Sequence, residues 1–381
     1  MARLLYFSFY PDELTDGISR KIKEQTKALT LLNNEVHIGR PKIGKDYIEY
    51  FIDNQKIATF RKDFIGKIEY YYCLFKELYS IIQSNDIEAV YFRYNLACNH
   101  SMINFLRKLH DSKIAIAIEI PTYPYDGEQR CNSIVTTLKT LSDYWYRTKL
   151  HKYIDYIVTF SNDAKIWDCP TIAISNAVNP NLIKIWEMPK MNDTFSMIGV
   201  ANLADWHGFD RIIRGISDYN KRCGEYKIEF HIVGGDSTNS TVMKLKKLTT
   251  ELGLIQNIIF HGKLSGTELN NVFDSSHIAI GSLGRHRNGI KSMKSLKNIE
   301  YATRGIPFIY SEDNSDFDSK PYVLKFNKDD SPIDIKSIIR FSQSIEYNPM
   351  SIRKSVSNLT WIKQMSVISK RLNDIVLRKK K

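Results

Sequence analysis

The strongest constraint on the fold is an alternation of short apolar runs with longer amphipathic segments, which occurs twice along the chain. Continuous apolar runs predict strands that are buried on both faces, and the segments between them predict covering helices. Each series is therefore typical of a parallel α/β sheet. Between the two series, residues 176–192 are rich in Asn, Pro and Met and have little periodicity, which predicts a linker.

The 381 residues are thus predicted to form two Rossmann-like α/β domains, at residues 1–187 and 193–360, which face a central cleft. Strands are expected at residues 4–9, 36–38, 89–94, 114–120 and 156–160, and then at 196–203, 228–233, 258–261, 278–282 and 307–310. Residues 47–60 alternate less cleanly, which suggests a small hairpin or an edge insertion. The final amphipathic segment, residues 361–377, has no following strand and could pack back on the first domain.

Composition excludes several classes of protein. A hydrophobic content of 43% rules out global disorder. No apolar run approaches the roughly 20 residues that span a bilayer, and the first run is too short for a secretory signal. Five scattered cysteines without a C-x-x-C pair favour reduced thiols in a cytoplasm over disulfides or a zinc site. They are Cys73, Cys98, Cys131, Cys169 and Cys223.

The formal charge of +12 includes a basic tail at residues 378–381. Basic residues near anionic lipid contribute about 1 kcal/mol each, so an anionic membrane surface is an expected partner. The alternative is a solvated, lysine-rich surface. No nucleic-acid motif is present, and nucleic acid is not expected as a partner. A basic nucleic-acid-binding protein is the alternative of another functional class, and steep salt dependence of DNA or RNA binding would identify it.

The most informative segment is GSLGRHRNGIKSMKSLKNIEYATRGIP, residues 281–307. It indicates a strand, a glycine-rich loop, a helix and a Gly-x-Pro turn into the next strand. A loop that enters a helix offers backbone N–H groups and a positive dipole end, which suit a diphosphate. Lys297 and Glu300 share a helical face there. They fit a ligand with phosphate next to ribose hydroxyls, although such a pair can also be a surface ion pair.

Two further strand ends resemble ligand-binding turns. Residues 198–213, IGVANLADWHGFDRII, place His207 and Arg211 at the start of a helix. A diphosphate beside His207 would favour the charged imidazole, whereas the alternative is that His207 only caps the helix. The glycines Gly234 and Gly235 end another apolar strand and permit close approach of a ligand.

In the first half, the segment IEIPTYPYDGE at residues 118–128 follows a predicted strand. Its tyrosines and carboxylates suit a hydroxyl-rich molecule, because aromatic faces pack on sugar C–H groups and carboxylates accept hydroxyl hydrogens. Glu119 could instead be a strand carboxylate that the backbone satisfies. Arg93 ends a neighbouring predicted strand. The Asp16-Gly17-Ile18 turn lies between the first strand and the first helix.

These segments resemble glycosyltransferase family 4, the retaining enzymes of the GT-B fold. The resemblance covers most of the chain and is strongest in residues 194–311. The family has a Glu, seven residues and a second Glu before the Gly-x-Pro turn. Glu300 matches the second glutamate, which implies contact with the ribose of the nucleotide. The first position is Ser292, where the family has a glutamate that contacts the transferred sugar, so sugar recognition departs from the pattern.

The residue patterns and the resemblance together assign roles to three sets of residues. Charge stabilisation and catalysis are expected from Glu119, His207, Arg211 and Lys297. Donor binding is expected from Gly17, Asn202, Gly234, Gly235, Gly262, Lys263, Gly289, Ser292, Lys297 and Glu300. The acceptor or sugar side is expected to involve Arg93, Thr122, Tyr123, Tyr125 and Asp126.

The resemblance also implies the activity. We expect retaining transfer of a sugar from a UDP- or GDP-sugar to a glycan or lipid-linked acceptor in bacterial surface polysaccharide synthesis, such as capsule or O-antigen. No bound metal or other cofactor is expected. The residues alone leave inversion open, and a GT-B sugar-nucleotide epimerase is the alternative enzyme. The expected location is the cytoplasm, with peripheral attachment to the inner face of the plasma membrane.

Overall fold

The structure, a computed structural model, describes residues 2–12, 17–95, 97–126, 134–222, 224–344, 346 and 348–381, with only the backbone at 134–136. The chain forms two compact units. The first comprises Met1–Ser175 together with Trp361–Lys381, and the second comprises Asn176–Thr360. In the described part of the chain, no helix has the length and apolar character needed to cross a membrane.

The first unit is built on a mostly parallel sheet. Its strands are β1 (Arg3–Ser8), β2 (Glu35–Ile43), β3 (Tyr47–Ile52), β4 (Gln55–Arg61), β5 (Ala89–Arg93), β6 (Ala115–Ile120), β7 (Tyr156–Thr159), β8 (Lys165–Ile166) and β9 (Cys169–Ala173). Its first helices are α1 (Gly17–Leu31), α2 (Phe64–Ser84), α3 (His100–Asp111) and α4 (Ile134–Arg147). The strand order is β4-β3-β2-β1-β5-β6-β7-β9-β8, and β2 through β4 form an antiparallel edge.

The second unit has a fully parallel sheet. Its strands are β10 (Thr194–Val200), β11 (Lys227–Val233), β12 (Ile258–Gly262), β13 (Ile278–Ile280), β14 (Phe308–Tyr310) and β15 (Val323–Lys325). Its helices are α5 (Phe209–Lys221), α6 (Ser240–Glu251), α7 (Gly266–Asp274), α8 (Leu296–Arg304), α9 (Ile335–Ser344) and α10 (Pro349–Ser355). The order β12-β11-β10-β13-β14-β15 reverses direction between β10 and β13, where ligands bind in sheets of this kind.

Local sequence explains where several helices begin and end. Asp63 and Asn99 accept hydrogen bonds from the backbone N–H groups of Gly66 and Met102 and so cap α2 and α3. Helix α8 ends at Gly305, whose φ of 83° belongs to the left-handed region. A Cβ at Gly305 would lie 2.4 Å from the carbonyl oxygen of Pro349, so α8 can stop beside α10 only at a glycine.

Residues 176–192, the predicted linker, belong to the second unit. Trp186 is buried and donates its indole N–H to the carbonyls of Phe273 and Ser276 at 3.1 and 3.0 Å. The structural boundary therefore lies at Ser175 and Asn176, before the interval 187–193 expected from the sequence. The segment has no periodic pattern because separate contacts, of which Trp186 makes one, hold it to the unit.

Helix α11 (Trp361–Lys380) returns the chain to the first unit. It packs on α1 and β6, and the Asn34 amide donates to the Ser369 hydroxyl at 2.8 Å. Lys379 donates to the carbonyl of Ile114 and the carboxylate of Asp155, both at 2.8 Å. Lys380 pairs with Glu88. Part of the basic tail is thus engaged in ion pairs within the unit.

Candidate functional site

The candidate site lies at the carboxyl ends of β10, β13 and β14, at the point where the strand order reverses. Two loops meet there. The N–H of Leu283 donates to the His207 carbonyl at 3.0 Å, and the N–H of Gly284 donates to the Trp206 carbonyl at 3.2 Å. Gly208 has a φ of 66°, and a Cβ on it would lie 2.7 Å from the Gly284 nitrogen. The close contact of the two loops therefore requires glycine.

His207 is buried behind this contact. Its Nδ1 accepts a hydrogen bond from the N–H of Ala204 at 3.1 Å, so the proton of the neutral ring is on Nε2. Burial lowers the pKa of His207 well below its usual value, and the nearby charges of Lys297 and Arg285 lower it further. These surroundings favour the neutral imidazole, whereas the charged form was expected beside a bound diphosphate, so that expectation stays a prediction. Two features therefore fix the orientation of the His207 ring: its burial and its hydrogen bond to the backbone of Ala204.

Arg211 holds the neighbouring loop together. Its guanidinium donates to the carbonyls of Leu283, Asn327 and Ser331 at 2.5, 3.1 and 2.8 Å and to the carboxylate of Asp329 at 3.0 Å. The residue is 1% exposed. These contacts occupy the guanidinium and favour a structural role over the charge stabilisation expected from the sequence.

A cluster of buried polar atoms surrounds the start of α8. Within the residues that the structure describes, these atoms have no hydrogen-bond partner: Ser282 Oγ, the amides of Asn288 and Asn298, Lys297 Nζ, both carboxylate oxygens of Glu312, and Asn314 Nδ2. An unsatisfied buried polar group costs roughly 1–3 kcal/mol, and buried polar groups are normally paired. Such a concentration at the end of a parallel sheet is typical of a site that a polar ligand and ordered water complete.

Charges of both signs lie in the cluster. Burial lowers the pKa of Lys297 to about 7, and the charge of Arg285 acts in the same direction, whereas Glu312 opposes it. Burial raises the pKa of Glu312, although Arg285 and Lys297 pull it down. Two basic side chains and one acidic side chain thus lie close together, and the basic pair can attract an anion.

The Glu-x7-Glu positions lie beside this cluster. Glu300 is partly buried on α8 and accepts a hydrogen bond from Arg304 at 3.3 Å. Ser292 forms a parallel β-bridge with Asp313. The N–H of Met293 donates to the Asp313 carbonyl at 2.9 Å, and the N–H of Asp313 donates to the Lys291 carbonyl at 2.8 Å. The chain after β14 is therefore aligned with the segment that enters α8.

The other predicted donor residues of the second unit lie at the carboxyl ends of strands or on the loops that follow them. Gly234 has a φ of 111°, and a Cβ there would overlap the Ala201 carbonyl at 1.9 Å. Its N–H donates to the Gly262 carbonyl at 2.6 Å, which joins the ends of β11 and β12. Four further candidates lie in the segments that come after β10, β11, β12 and β13, respectively: Asn202, Gly235, Lys263 and Gly289.

In the first unit, Glu119 lies inside β6 and is fully buried. Its carboxylate accepts hydrogen bonds from Gln25 and Tyr91, both at 2.7 Å, pairs with Arg93 and lies 3.5 Å from the ammonium of Lys21. This network satisfies the carboxylate through side chains, and not through the backbone as the sequence alternative had it, and it favours a structural role for Glu119. Gly17 begins α1.

The loop after β6 is fixed by α4. Tyr125 is buried and donates its hydroxyl to Asp143 at 2.6 Å, and Arg147 donates to Asp126 at 2.6 Å. Thr122 and Tyr123 are partly buried. Tyr125 and Asp126 are therefore engaged within the unit, and their acceptor role stays a prediction. Asp16 and Glu128 lie outside the described residues.

Sequence reasoning missed Arg285, Asn288, Asn298 and Glu312. Arg285 and Asn288 lie in the quoted glycine-rich segment but match no expected position. Glu312 had a usable signal, because it follows the apolar strand β14 almost directly, and polar residues at the carboxyl ends of parallel strands often face a ligand.

Comparison with known proteins bears on the fold. No family model matches the chain, and no curated protein matches it by sequence. Sucrose-phosphate synthase from Thermosynechococcus elongatus is similar in structure, with a TM-score of 0.72, 13% identity and 99% coverage of both chains. WaaG, a glycosyltransferase involved in lipopolysaccharide biosynthesis, has a TM-score of 0.61, 10% identity and 98% coverage of both chains.

HepE from Anabaena, in complex with UDP and glucose, has a TM-score of 0.56 and 11% identity, with 99% of this chain and 98% of that chain covered. At such identities the likeness shows the fold. The predicted architecture is confirmed, because both parallel sheets match over nearly the whole length of these proteins. This chain has the GT-B fold.

Proposed function

We propose that the protein is a retaining glycosyltransferase that transfers a sugar from a UDP- or GDP-sugar to a glycan or lipid-linked acceptor in surface polysaccharide synthesis. One observation carries the proposal. Buried polar atoms without a hydrogen-bond partner among the described residues lie around Lys297, where the strand order of the second unit reverses between β10 and β13. The fold, the match of Glu300 to the family pattern and the nucleotide and sugar bound to HepE support it.

In this proposal Lys297 and Arg285 face the diphosphate of the donor. Negative charge grows on the diphosphate as the bond to the sugar breaks, and fixed cations in a buried site stabilise that charge without reorganising. The N-terminus of α8 and the Nε2–H of His207 add donors of the same polarity. These groups supply the charge neutralisation for which other enzymes use a metal, so we propose that transfer is metal-independent.

In the proposed reaction, the protons balance without a catalytic base from the protein. The acceptor hydroxyl loses a proton as it attacks the sugar, and the departing phosphate oxygen can take up that proton on the same face. Such a front-face reaction retains the anomeric configuration and needs no separate protein base. Retention itself is carried over from the family resemblance.

We also propose that the protein works at an anionic membrane surface in the cytoplasm. Eight large apolar side chains of the first unit, between 44 and 66% exposed, support this: Phe64, Ile65, Ile68 and Tyr72 of α2, and Leu138, Leu141, Tyr144 and Trp145 of α4. We call this set the apolar face. The ammonium of Lys139 on α4 lies 4.8 Å from the Tyr71 ring centre on α2, so the two helices are neighbours. Aromatic side chains with nearby lysines are typical of membrane interfaces.

The donor proposal is tested by thermal shift with a panel of UDP- and GDP-sugars. A ligand at 100 times its dissociation constant should stabilise the protein by about 2.7 kcal/mol. Lys297→Met should abolish most of this shift, because it removes the buried ammonium. Lys247→Met is the matched control, since Lys247 is an exposed lysine of the same unit.

Transfer is then measured by release of UDP or GDP with candidate acceptors. Release that requires an acceptor supports a transferase, whereas conversion into a second sugar nucleotide without an acceptor identifies an epimerase. If no sugar nucleotide stabilises the wild-type protein, or if Lys297→Met and Lys247→Met respond alike, the donor site is not where we place it.

A further inference from the structure

Glu312 is a buried acidic residue beside the basic residues Lys297 and Arg285. It follows β14 after a single residue and is 0% exposed, and neither carboxylate oxygen has a hydrogen-bond partner in the described part of the chain. A buried polar group whose hydrogen bonds are not made costs roughly 1–3 kcal/mol, and more when the group is charged. Such a group is retained where a ligand or ordered water completes its hydrogen bonds.

The backbone places Glu312 next to the position that departs from the family pattern. Asp313 forms a β-bridge with Ser292, and its N–H and C=O are bonded to Lys291 and Met293. The residue before Asp313 therefore lies alongside the segment where a glutamate is expected to contact the transferred sugar. Glu312 comes from a different part of the chain and directly precedes the residue that pairs with Ser292.

The surrounding charges divide the site into two parts. Lys297 Nζ also has no hydrogen-bond partner among the described residues, so Glu312 and Lys297 are not joined to each other by a hydrogen bond. The Lys297 ammonium and the Glu312 carboxylate can therefore both bind a ligand, and together they fit one that has an anionic part and a hydroxyl-bearing part. A phosphate is attracted to Lys297 and Arg285 and repelled by Glu312, whereas sugar hydroxyls can donate to a carboxylate.

We propose that Glu312 accepts hydrogen bonds from hydroxyl groups of the transferred sugar and sets the donor-sugar preference, in place of the glutamate expected at Ser292. This inference rests on the proposed function, since it assigns one half of the same donor site. In this assignment Glu300 contacts the nucleotide part of the donor, and Glu312 contacts the sugar part.

The test compares each nucleoside diphosphate with its sugar nucleotide by calorimetry. The ratio of the two dissociation constants reports the contribution of the sugar. In Glu312→Gln we expect UDP or GDP to bind within threefold of wild type or more tightly, because a negative charge near the phosphates is lost. The matching sugar nucleotide should bind about 10- to 100-fold more weakly, the range for a lost charge-assisted hydrogen bond. Asp313→Asn is the matched control, because that carboxylate is exposed and pairs with Lys325 and Lys328.

A purely structural carboxylate would behave differently. If Glu312 only balances Lys297 and Arg285, Glu312→Gln should lower the melting temperature of the unliganded protein and weaken both ligands equally, which overturns the inference. A second variant serves if Glu312→Gln folds poorly. Glu312→Asp retains the charge but moves the carboxylate oxygens away from the sugar, so the contribution of the sugar to binding should still be lost. A sugar contribution that survives in Glu312→Asp also overturns the inference. If wild type binds no nucleotide at all, the proposed function itself fails.

Discussion

At the scale of single residues, burial decides the chemistry of Lys297. A lysine ammonium in water has a pKa of about 10.4. In this site burial and the charge of Arg285 lower the pKa of Lys297 to about 7, although Glu312 opposes the shift. The residue therefore changes protonation within the pH range in which proteins are usually studied.

This titration predicts a pH dependence of donor binding. A bound diphosphate stabilises the ammonium and raises the pKa of Lys297, so binding takes up a proton at any pH between the free and bound values. We expect the affinity for UDP or GDP to fall by up to about tenfold per pH unit above pH 7. Calorimetry between pH 7 and 9 measures how the affinity changes with pH. We expect the same pH dependence in Lys247→Met and none in Lys297→Met. A flat profile in wild type contradicts contact between Lys297 and the diphosphate.

The sequence predicted some site residues better than others. Lys297, Ser292 and Glu300 could be singled out from the sequence, because their spacing before Gly305 and Pro307 is a local pattern. Glu312 was not found, because only the pairing of two distant segments brings it to the site. The charge state of His207 could not be inferred, since it depends on burial and on two basic residues that are distant in sequence, Arg285 and Lys297.

At the scale of elements, a buried ionic network attaches α1 to the sheet of the first unit. Lys21 and Gln25 of α1, Arg93 of β5 and Glu119 of β6 take part in it. Burial lowers the pKa of Lys21 to about 7, although Glu119 raises it. The ammonium also lies 3.6 Å from the centre of the Phe160 ring. Each charge in such a network depends on the others for solvation.

This network predicts a stability effect for Glu119→Gln. Removing one partner of a buried ion pair leaves an uncompensated charge, so we expect the free energy of unfolding to fall by about 3–5 kcal/mol. Urea denaturation measures it, and Glu69→Gln on the exposed side of α2 is the control. If Glu119→Gln leaves stability unchanged and lowers only the rate of transfer, Glu119 acts in the reaction, as the sequence suggested.

Elements with a strong pattern could be predicted, and weakly patterned ones could not. Residues 156–160 were expected as a strand, and β7 occupies Tyr156–Thr159. Strand β9 was not predicted, because Cys169–Ala173 includes a proline and has no continuous apolar run. Its place in the sheet depends on pairing with β7, a contact that local sequence does not reveal.

At the scale of the whole molecule, the charge of +12 and the apolar face point to the same partner. The sequence attributed membrane binding to the basic tail. However, Lys379 and Lys380 pair with Asp155 and Glu88, so only part of the tail's charge is available to lipid. The exposed aromatic and aliphatic side chains of α2 and α4 are the better candidates for insertion at the lipid surface.

Leu141→Ser combined with Trp145→Ser should therefore weaken binding to anionic liposomes by at least about tenfold. Each large apolar side chain contributes roughly 1.5–3 kcal/mol when it leaves water. Co-sedimentation at about 50 mM salt measures binding under weak screening. Lys379→Gln serves as the comparison and should change binding less. If that change weakens binding more than the double substitution, or if wild type ignores anionic liposomes, the apolar face is not the membrane contact.

The return of α11 to the first unit has a consequence for synthesis on the ribosome. Domains generally fold in the order in which they emerge. Here residues 176–360 form a contiguous unit, whereas the first unit needs Trp361–Lys380 to cover α1 and β6. The half that is translated first is therefore completed second, and the buried lysine of α1 meets the Trp361 ring only after the other half has emerged.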